Sequence, residues 1–160
     1  MILAEVFDKA ERLETVAAEI YAALAERFAE DARAAELFRK LAAEEVQHAA
    51  RVRMLASQYR RKGSAFRAGP PPLAAIDDLL REGGEWLSRL RSKSFRLTLE
   101  ETWAKLADLE ERFAAAHAEQ MSSVADPALR AFFEKLAAQD RAHVALFRRS
   151  VTRPPTRARG

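Results

Sequence analysis

Apolar residues recur every three or four positions along four long stretches of this chain, the spacing of helices that each bury one face. The first stretch runs from about residue 2 to about residue 29, with Ala10, Leu13, Ala17, Ile20, Tyr21, Leu24 and Phe28 on its stripe. Asp31 reads as an N-cap, opening a second helix over about 32–60 whose stripe is Phe38, Leu41, Ala42, Ala49, Val52 and Leu55. Gly63 offers its stop. Thr98 and Glu101 have the spacing of a capping box for a third helix over about 97–122, where Trp103, Leu106, Phe113, Ala114 and Met121 share a face. Asp126-Pro127 pairs an N-cap with proline at the first helical position. The fourth helix then runs to about residue 150, with Leu129, Phe133, Leu136 and Phe147 inward.

Residues 63–95 form the long connection between the second and third helices. Gly69 and Pro70-Pro71-Pro72 break any helix there, and Ala74–Arg81 and Glu85–Leu90 are candidate short helices around Gly83-Gly84. A link of this length can cross a whole bundle. The expected fold is therefore all-α: an antiparallel four-helix bundle of two hairpins joined by one long crossover. One domain over 1–152 is expected, followed by a flexible basic tail at 153–160 after Pro154-Pro155.

Composition narrows the chemistry. The chain of 160 residues has 49% hydrophobic and 32% charged residues, a globular balance, and its five glycines leave helix formers dominant. It has no cysteine, which removes disulfides, thiolate zinc sites and any rubredoxin-type iron site. No segment approaches the ~20 apolar residues of a membrane span. The start, Met1-Ile2-Leu3-Ala4-Glu5, does not look like a signal peptide, so a cytoplasmic location without membrane partners is expected. The net charge of +3 comes mostly from in and around the connection (Arg60-Arg61-Lys62, Arg89, Arg91, Lys93, Arg96) and from the C-terminal stretch into the tail (Arg148, Arg149, Arg153, Arg157, Arg159). That tail is short and lacks interleaved aromatics, so no nucleic-acid partner is expected.

The two hairpins repeat each other. Asp31 to His48 aligns without gaps on Asp126 to His143 at an offset of 95, bringing Phe38 onto Phe133, Leu41 onto Leu136 and His48 onto His143. At an offset of 96, Leu13-Glu14 falls on Leu109-Glu110, and Tyr21 on His117. A duplicated hairpin makes a pseudo-twofold bundle, and a site on its axis draws equivalent ligands from both halves. Glu45-Val46-Gln47-His48 is a Glu-x-x-His, and Asp140-Arg141-Ala142-His143 is its counterpart with aspartate. Residues at i and i+3 project from one helix face and can grip one metal. Glu14 and Glu110 add a carboxylate from each remaining helix, which completes the ligand recipe of carboxylate-bridged di-iron bundles.

Placement strengthens this pattern. Glu14 lies between Ala10 and Ala17 on the apolar stripe, Glu45 between Leu41 and Ala49, Glu110 between Leu106 and Ala114, and Asp140 between Leu136 and Phe147. Ionised carboxylates facing a core without partners cost too much desolvation to persist, and cations resolve the conflict. A lone Glu-x-x-His is common by chance, one buried glutamate can pair with an arginine, and His117 or Tyr21 alone is an ordinary core residue. The weight lies in six candidates, Glu14, Glu45, His48, Glu110, Asp140 and His143, recurring in register on the inner stripes. Tyr21 and His117 are expected behind them, hydrogen-bonded to ligands. Oxygen and nitrogen donors of this kind suit iron or manganese, with zinc also possible.

On these residues the chain resembles the ferritin-like superfamily, and within it the rubrerythrin-type di-iron proteins. The resemblance covers roughly residues 3–57 and 98–149. Its patterns are Glu14 followed seven residues later by Tyr21, and Phe38-x-x-Leu41-Ala42-x-x-Glu45-x-x-His48. It implies two metal ions, iron above all, bridged by Glu45 and Asp140, with Glu14 and Glu110 as terminal ligands and His48 and His143 each capping one ion. It also implies an oxidoreductase acting on O2, peroxide or ferrous iron, an external electron-donor protein and a homodimer. The alternative is a non-enzymatic metal-binding or structural bundle with a degraded site. Three residues depart from the family pattern: Asp140 stands where glutamate is usual, Phe113 where rubrerythrins carry an extra glutamate, and His117 where a tyrosine is expected.

Overall fold

The fold is that of a computed structural model describing residues 2–62, 73–122 and 126–151. Five helices account for it: α1 (Ile2–Arg27), α2 (Ala32–Lys62), α3 (Leu73–Arg91), α4 (Leu99–Ser122) and α5 (Pro127–Val151). No strand occurs among the described residues. No helix among them is long and apolar enough to cross a membrane. Gly63, Gly69, Pro70-Pro71-Pro72, the side chain of Met121 and the tail at 153–160 lie outside the described residues.

Capping groups fix where the helices start. The Asp31 carboxylate accepts the Ala34 amide at 2.9 Å, closing the α1–α2 turn. Thr98 and Glu101 form a reciprocal box, with the Thr98 amide donating to Glu101 Oε2 at 2.7 Å and the Glu101 amide to Thr98 Oγ1 at 3.2 Å. Asp126 Oδ1 takes the amides of Ala128 and Leu129 at 2.8 and 3.1 Å.

α1 and α2 pack as one antiparallel hairpin, α4 and α5 as another. In the first, Phe28 meets Phe38 near the turn while Phe7 meets Tyr59 at the far end. In the second, His117 stacks near Phe133, and Trp103 lies on Phe147. The hairpins meet through Phe38 on Trp103, Tyr21 on Phe147 and Phe7 on Phe133. Two apolar clusters result. One gathers Leu13, Leu24, Phe38, Leu106 and Phe147, and the other Val6, Phe7, Val52, Leu129 and Phe133.

The connection holds more helix than the sequence suggests. α3 runs unbroken through Gly83-Gly84 rather than as two short pieces. Its buried face, Ile76, Leu79, Trp86, Leu87 and Leu90, packs mainly on α1. Polar ties fasten its flanks: Lys9 to Asp77 at 2.8 Å, Arg91 to Glu19 at 3.0 Å, and Glu82 to both Lys105 and Arg112 of α4. Arg27 closes the lower end by donating to the carbonyls of Phe95 and Ser92 at 2.7 and 2.9 Å.

Gly83 is needed for this contact. A Cβ built there would lie 2.8 Å from Val16 Cγ1, whereas one at Gly84 would meet nothing within 4 Å. Both substitutions to alanine gain about 0.8–1.0 kcal/mol of helix propensity. Only Gly83→Ala then overpacks the α1–α3 contact, at about 1–3 kcal/mol. Chemical denaturation should therefore rank Gly84→Ala above the parent chain and Gly83→Ala below Gly84→Ala by about that amount. Equal stability of the two variants would refute the close approach.

Candidate metal centre

Between the two apolar clusters the helices turn polar groups inward. Glu14 comes from α1, Glu45 and His48 from α2, Glu110 and His117 from α4, Asp140 and His143 from α5, and every one is buried. Each sits on its helix's inward stripe, so the packing that buries Leu13, Leu41, Leu106 and Leu136 carries the polar side chains in with them.

Two groups of three converge. Glu14, Glu45 and His48 form one, and Glu45, Glu110 and His143 the other; within each group, one ligand atom per residue lies within 4.8 Å of the rest. Glu45 is common to both. His48 Nδ1 lies 2.9 Å from Glu45 Oε2 and 3.3 Å from Glu14 Oε2. His143 Nδ1 lies 3.3 Å from Glu45 Oε1 and 3.7 Å from Glu110 Oε1. Asp140 is equally buried but belongs to neither group; its Oδ2 faces His117 Nε2 at 3.7 Å. Its side chain is one methylene shorter than that of Glu45, its counterpart in the first hairpin.

Tyr21 and His117 occupy equivalent places in the two halves and reach across to opposite carboxylates. Tyr21 donates a hydrogen bond to Glu110, and His117 Nε2 lies 2.8 Å from Glu14 Oε1. One participant is not evident from the sequence. Glu44, half-exposed, lies 3.2 Å from the outward nitrogen Nε2 of His143. Its one signal is adjacency: it precedes Glu45 and so lies one position off the apolar stripe.

Burial and crowding displace the protonation equilibria. Burial first, then the Glu110 and Glu14 carboxylates, push Glu45 up to about 9. Burial first also lifts Asp140, to about 8. Burial works to lower His48 and His143, but Glu14 and Glu45 raise His48 to about 10, and Glu110 and Glu45 raise His143 to about 9. Burial would raise Glu14, yet His117 and His48 hold it well below the usual carboxylate range. Burial and then Glu110 push the Tyr21 phenol well above its ordinary value.

A cation fits these residues. Glu45 Oε1, Glu110 Oε2 and His143 Nδ1, all from one of the two groups, are buried without a hydrogen-bond partner. Glu45 Oε1 and His143 Nδ1 lie 3.3 Å apart yet form no hydrogen bond with each other. Orphaned buried polar atoms cost about 1–3 kcal/mol each, and several aimed at one place are what a shared positive ion relieves. Carboxylate oxygen with imidazole nitrogen suits first-row divalent metals: iron, manganese or zinc.

Comparison of the chain with protein-family models, with curated proteins and with solved structures finds no match in any of the three.

Proposed function

We propose that this chain is a di-metal carboxylate protein that binds two metal ions, iron by preference, and acts as an oxidoreductase on O2, peroxide or ferrous iron. In this reading it is a ferritin-like four-helix bundle of the rubrerythrin type, with α3 as the helical part of the crossover. The observation that carries the reading is the position of Glu45: buried, central and common to both ligand groups.

Glu14, Glu45 and His48 would hold one ion, and Glu45, Glu110 and His143 the other. Bound iron would supply one-electron chemistry toward O2 or peroxide. The protein's own contributions follow from the geometry. Tyr21 fixes Glu110 by donating to it. The apolar clusters on either side keep water from the carboxylates. His143 turns one nitrogen inward and the other to half-exposed Glu44, which gives protons a route to the surface. Electrons would come from a separate donor protein, since the chain has no cysteine for a rubredoxin-type centre. A homodimer is part of the same reading.

A second reading is favoured by Asp140, which lies outside both groups. There the chain is a non-enzymatic metal carrier or a structural bundle with a degraded site. Adding ferrous iron without oxygen and then admitting air separates the readings. Rapid oxidation with near-ultraviolet ferric absorption is expected. Tight metal without oxidation would favour the carrier, and no stoichiometric metal would favour the structural bundle.

A further inference from the structure

We propose that the groove between α2 and α5 is the docking site of an acidic electron-donor protein, seated above His143. This rests on the di-metal oxidoreductase reading, which calls for a separate donor.

The two helices run side by side in opposite directions, since Glu44 meets His143 and the Tyr59 hydroxyl donates to Asp126 at the start of α5. On α2, the groove side is the stripe that passes through Glu44 at steps of three and four. On α5 it is the stripe through Gln139 and Leu146, on either side of His143. The flank of α5 toward α4 carries different residues, Arg141, Val144, Ala145 and Arg148.

Charge on the two groove stripes is one-sided. Arg33, Lys40 and Arg51 on α2 and Lys135 and Arg149 on α5 are exposed. Glu44 is the single carboxylate on either stripe among the described residues. It is already engaged, 3.2 Å from His143 and 3.8 Å from Lys40. Arg51 lies midway between Glu44 and Tyr59, and Lys135 midway between Asp126 and His143. The two cations therefore stand at one height on opposite sides of the groove. Between the charges, Leu37, Leu55, Phe132 and Leu146 are partly buried against the two apolar clusters.

This groove is also where the centre comes nearest to solvent. His143 is 7% exposed, against at most 3% for Glu14, Glu45, His48 and Glu110. On the other side, α3 packs on α1 and α4. A donor in the groove thus reaches a candidate ligand through one imidazole. Each encounter passes one electron: the donor is oxidised by one, and one ferric ion is reduced to ferrous. A small apolar floor with a charged rim suits such encounters, which bury little area. Negative charge on the partner steers it in and sets its register. A second copy of this chain is disfavoured there, because five cations would face five.

The test uses reduced flavodoxin, an acidic one-electron carrier, as the probe, mixed in stopped flow with the iron-loaded, air-oxidised chain. Its second-order oxidation should slow as ionic strength rises. Arg51→Glu combined with Lys135→Glu should slow it tenfold or more and remove most of the salt dependence, at unchanged iron content and ferric absorption. Arg81→Glu, on the exposed face of α3, should leave the rate as it is. The salt dependence of the parent decides the matter even if the double variant fails to fold. An iron-loaded chain that oxidises flavodoxin without salt dependence, or at one rate in parent and double variant, or not at all, would overturn the docking site and leave the di-metal reading standing. Loss of DNA binding or of a dimer in the double variant, at an unchanged flavodoxin rate, would overturn it in favour of that other occupant. A parent chain that takes up no iron would overturn the di-metal reading itself.

Discussion

Replacing Glu45 with glutamine is expected to abolish tight metal binding at both positions while leaving the metal-free fold as stable as the parent. Glu45 belongs to both candidate ligand groups, so its loss would remove an anionic donor from each proposed ion at once. Without metal, burial pushes the Glu45 carboxyl up to about 9, so near neutral pH it already carries a proton. Glutamine copies that neutral group in size, and its carbonyl can still accept from His48 Nδ1, now 2.9 Å from Glu45 Oε2. The metal-free cost should stay below about 1 kcal/mol. Losing a shared ligand should exceed the roughly 10–100-fold loss typical of residues that merely orient ligands.

Thermal melting shows the contrast. A metal at about 1,000 times its Kd stabilises a fold by about 4 kcal/mol. For a chain of this size that is roughly an 8–16 °C rise in Tm. The parent should show that rise, and Glu45→Gln almost none of it. Glu14→Gln should behave differently. Glu14 is held ionised by His117 and His48, so removing its charge should also lower the metal-free Tm. A Glu45→Gln variant that kept the full metal-dependent rise would remove Glu45 from the centre.

The second large effect is on pH. Glu45 and Asp140 are raised in the folded chain to about 9 and about 8, from ordinary values of 4.5 and 3.8. Between those limits the folded state binds more protons than the unfolded one, so stability falls as pH rises through that window. His48 and His143 act with the same sign. Raised from 6.5 to about 10 and about 9, they contribute fully below pH 6.5 and lose that contribution as pH climbs toward those values. Glu14 has the opposite sign: its contribution is present above its ordinary 4.5 and is lost only in acid. The chelated protein should therefore melt lower at about pH 9 than at about pH 6.

Metal reverses this. Ligands bind a cation only after giving up their protons. Loading at neutral pH should release more than one proton per chain, measurable by pH-stat in unbuffered solution. The affinity should rise with pH, and the loaded protein should lose the melting deficit at about pH 9. Loading without proton release would contradict a protonated metal-free centre.

Much of this architecture can be read from the sequence because it follows one period. Residues that share a stripe with Leu13, Leu41, Leu106 and Leu136 must go inward, so Glu14, Glu45, Glu110 and Asp140 are carried with them. The duplicated hairpin sets their common height, because equal offsets put His48 and His143 at matching turns. The remainder depends on tertiary contacts. Gly83-Gly84 reads as a break by propensity, yet α3 continues because the missing Cβ at Gly83 lets it press against Val16. Glu44 lies off the stripe, and only the three-dimensional structure shows that it meets His143 of α5. No spacing rule places His117 between Glu14 and Asp140, since three different helices supply those residues.

In the proposed centre, carboxylates buried at one height in the two hairpins share a pair of cations. Anomalous diffraction from crystals of protein loaded with ferrous iron without oxygen would locate them. Two peaks are predicted, one among Glu14, Glu45 and His48 and one among Glu45, Glu110 and His143. A difference map with no peak between these side chains, or with iron bound only at the protein surface, would contradict it.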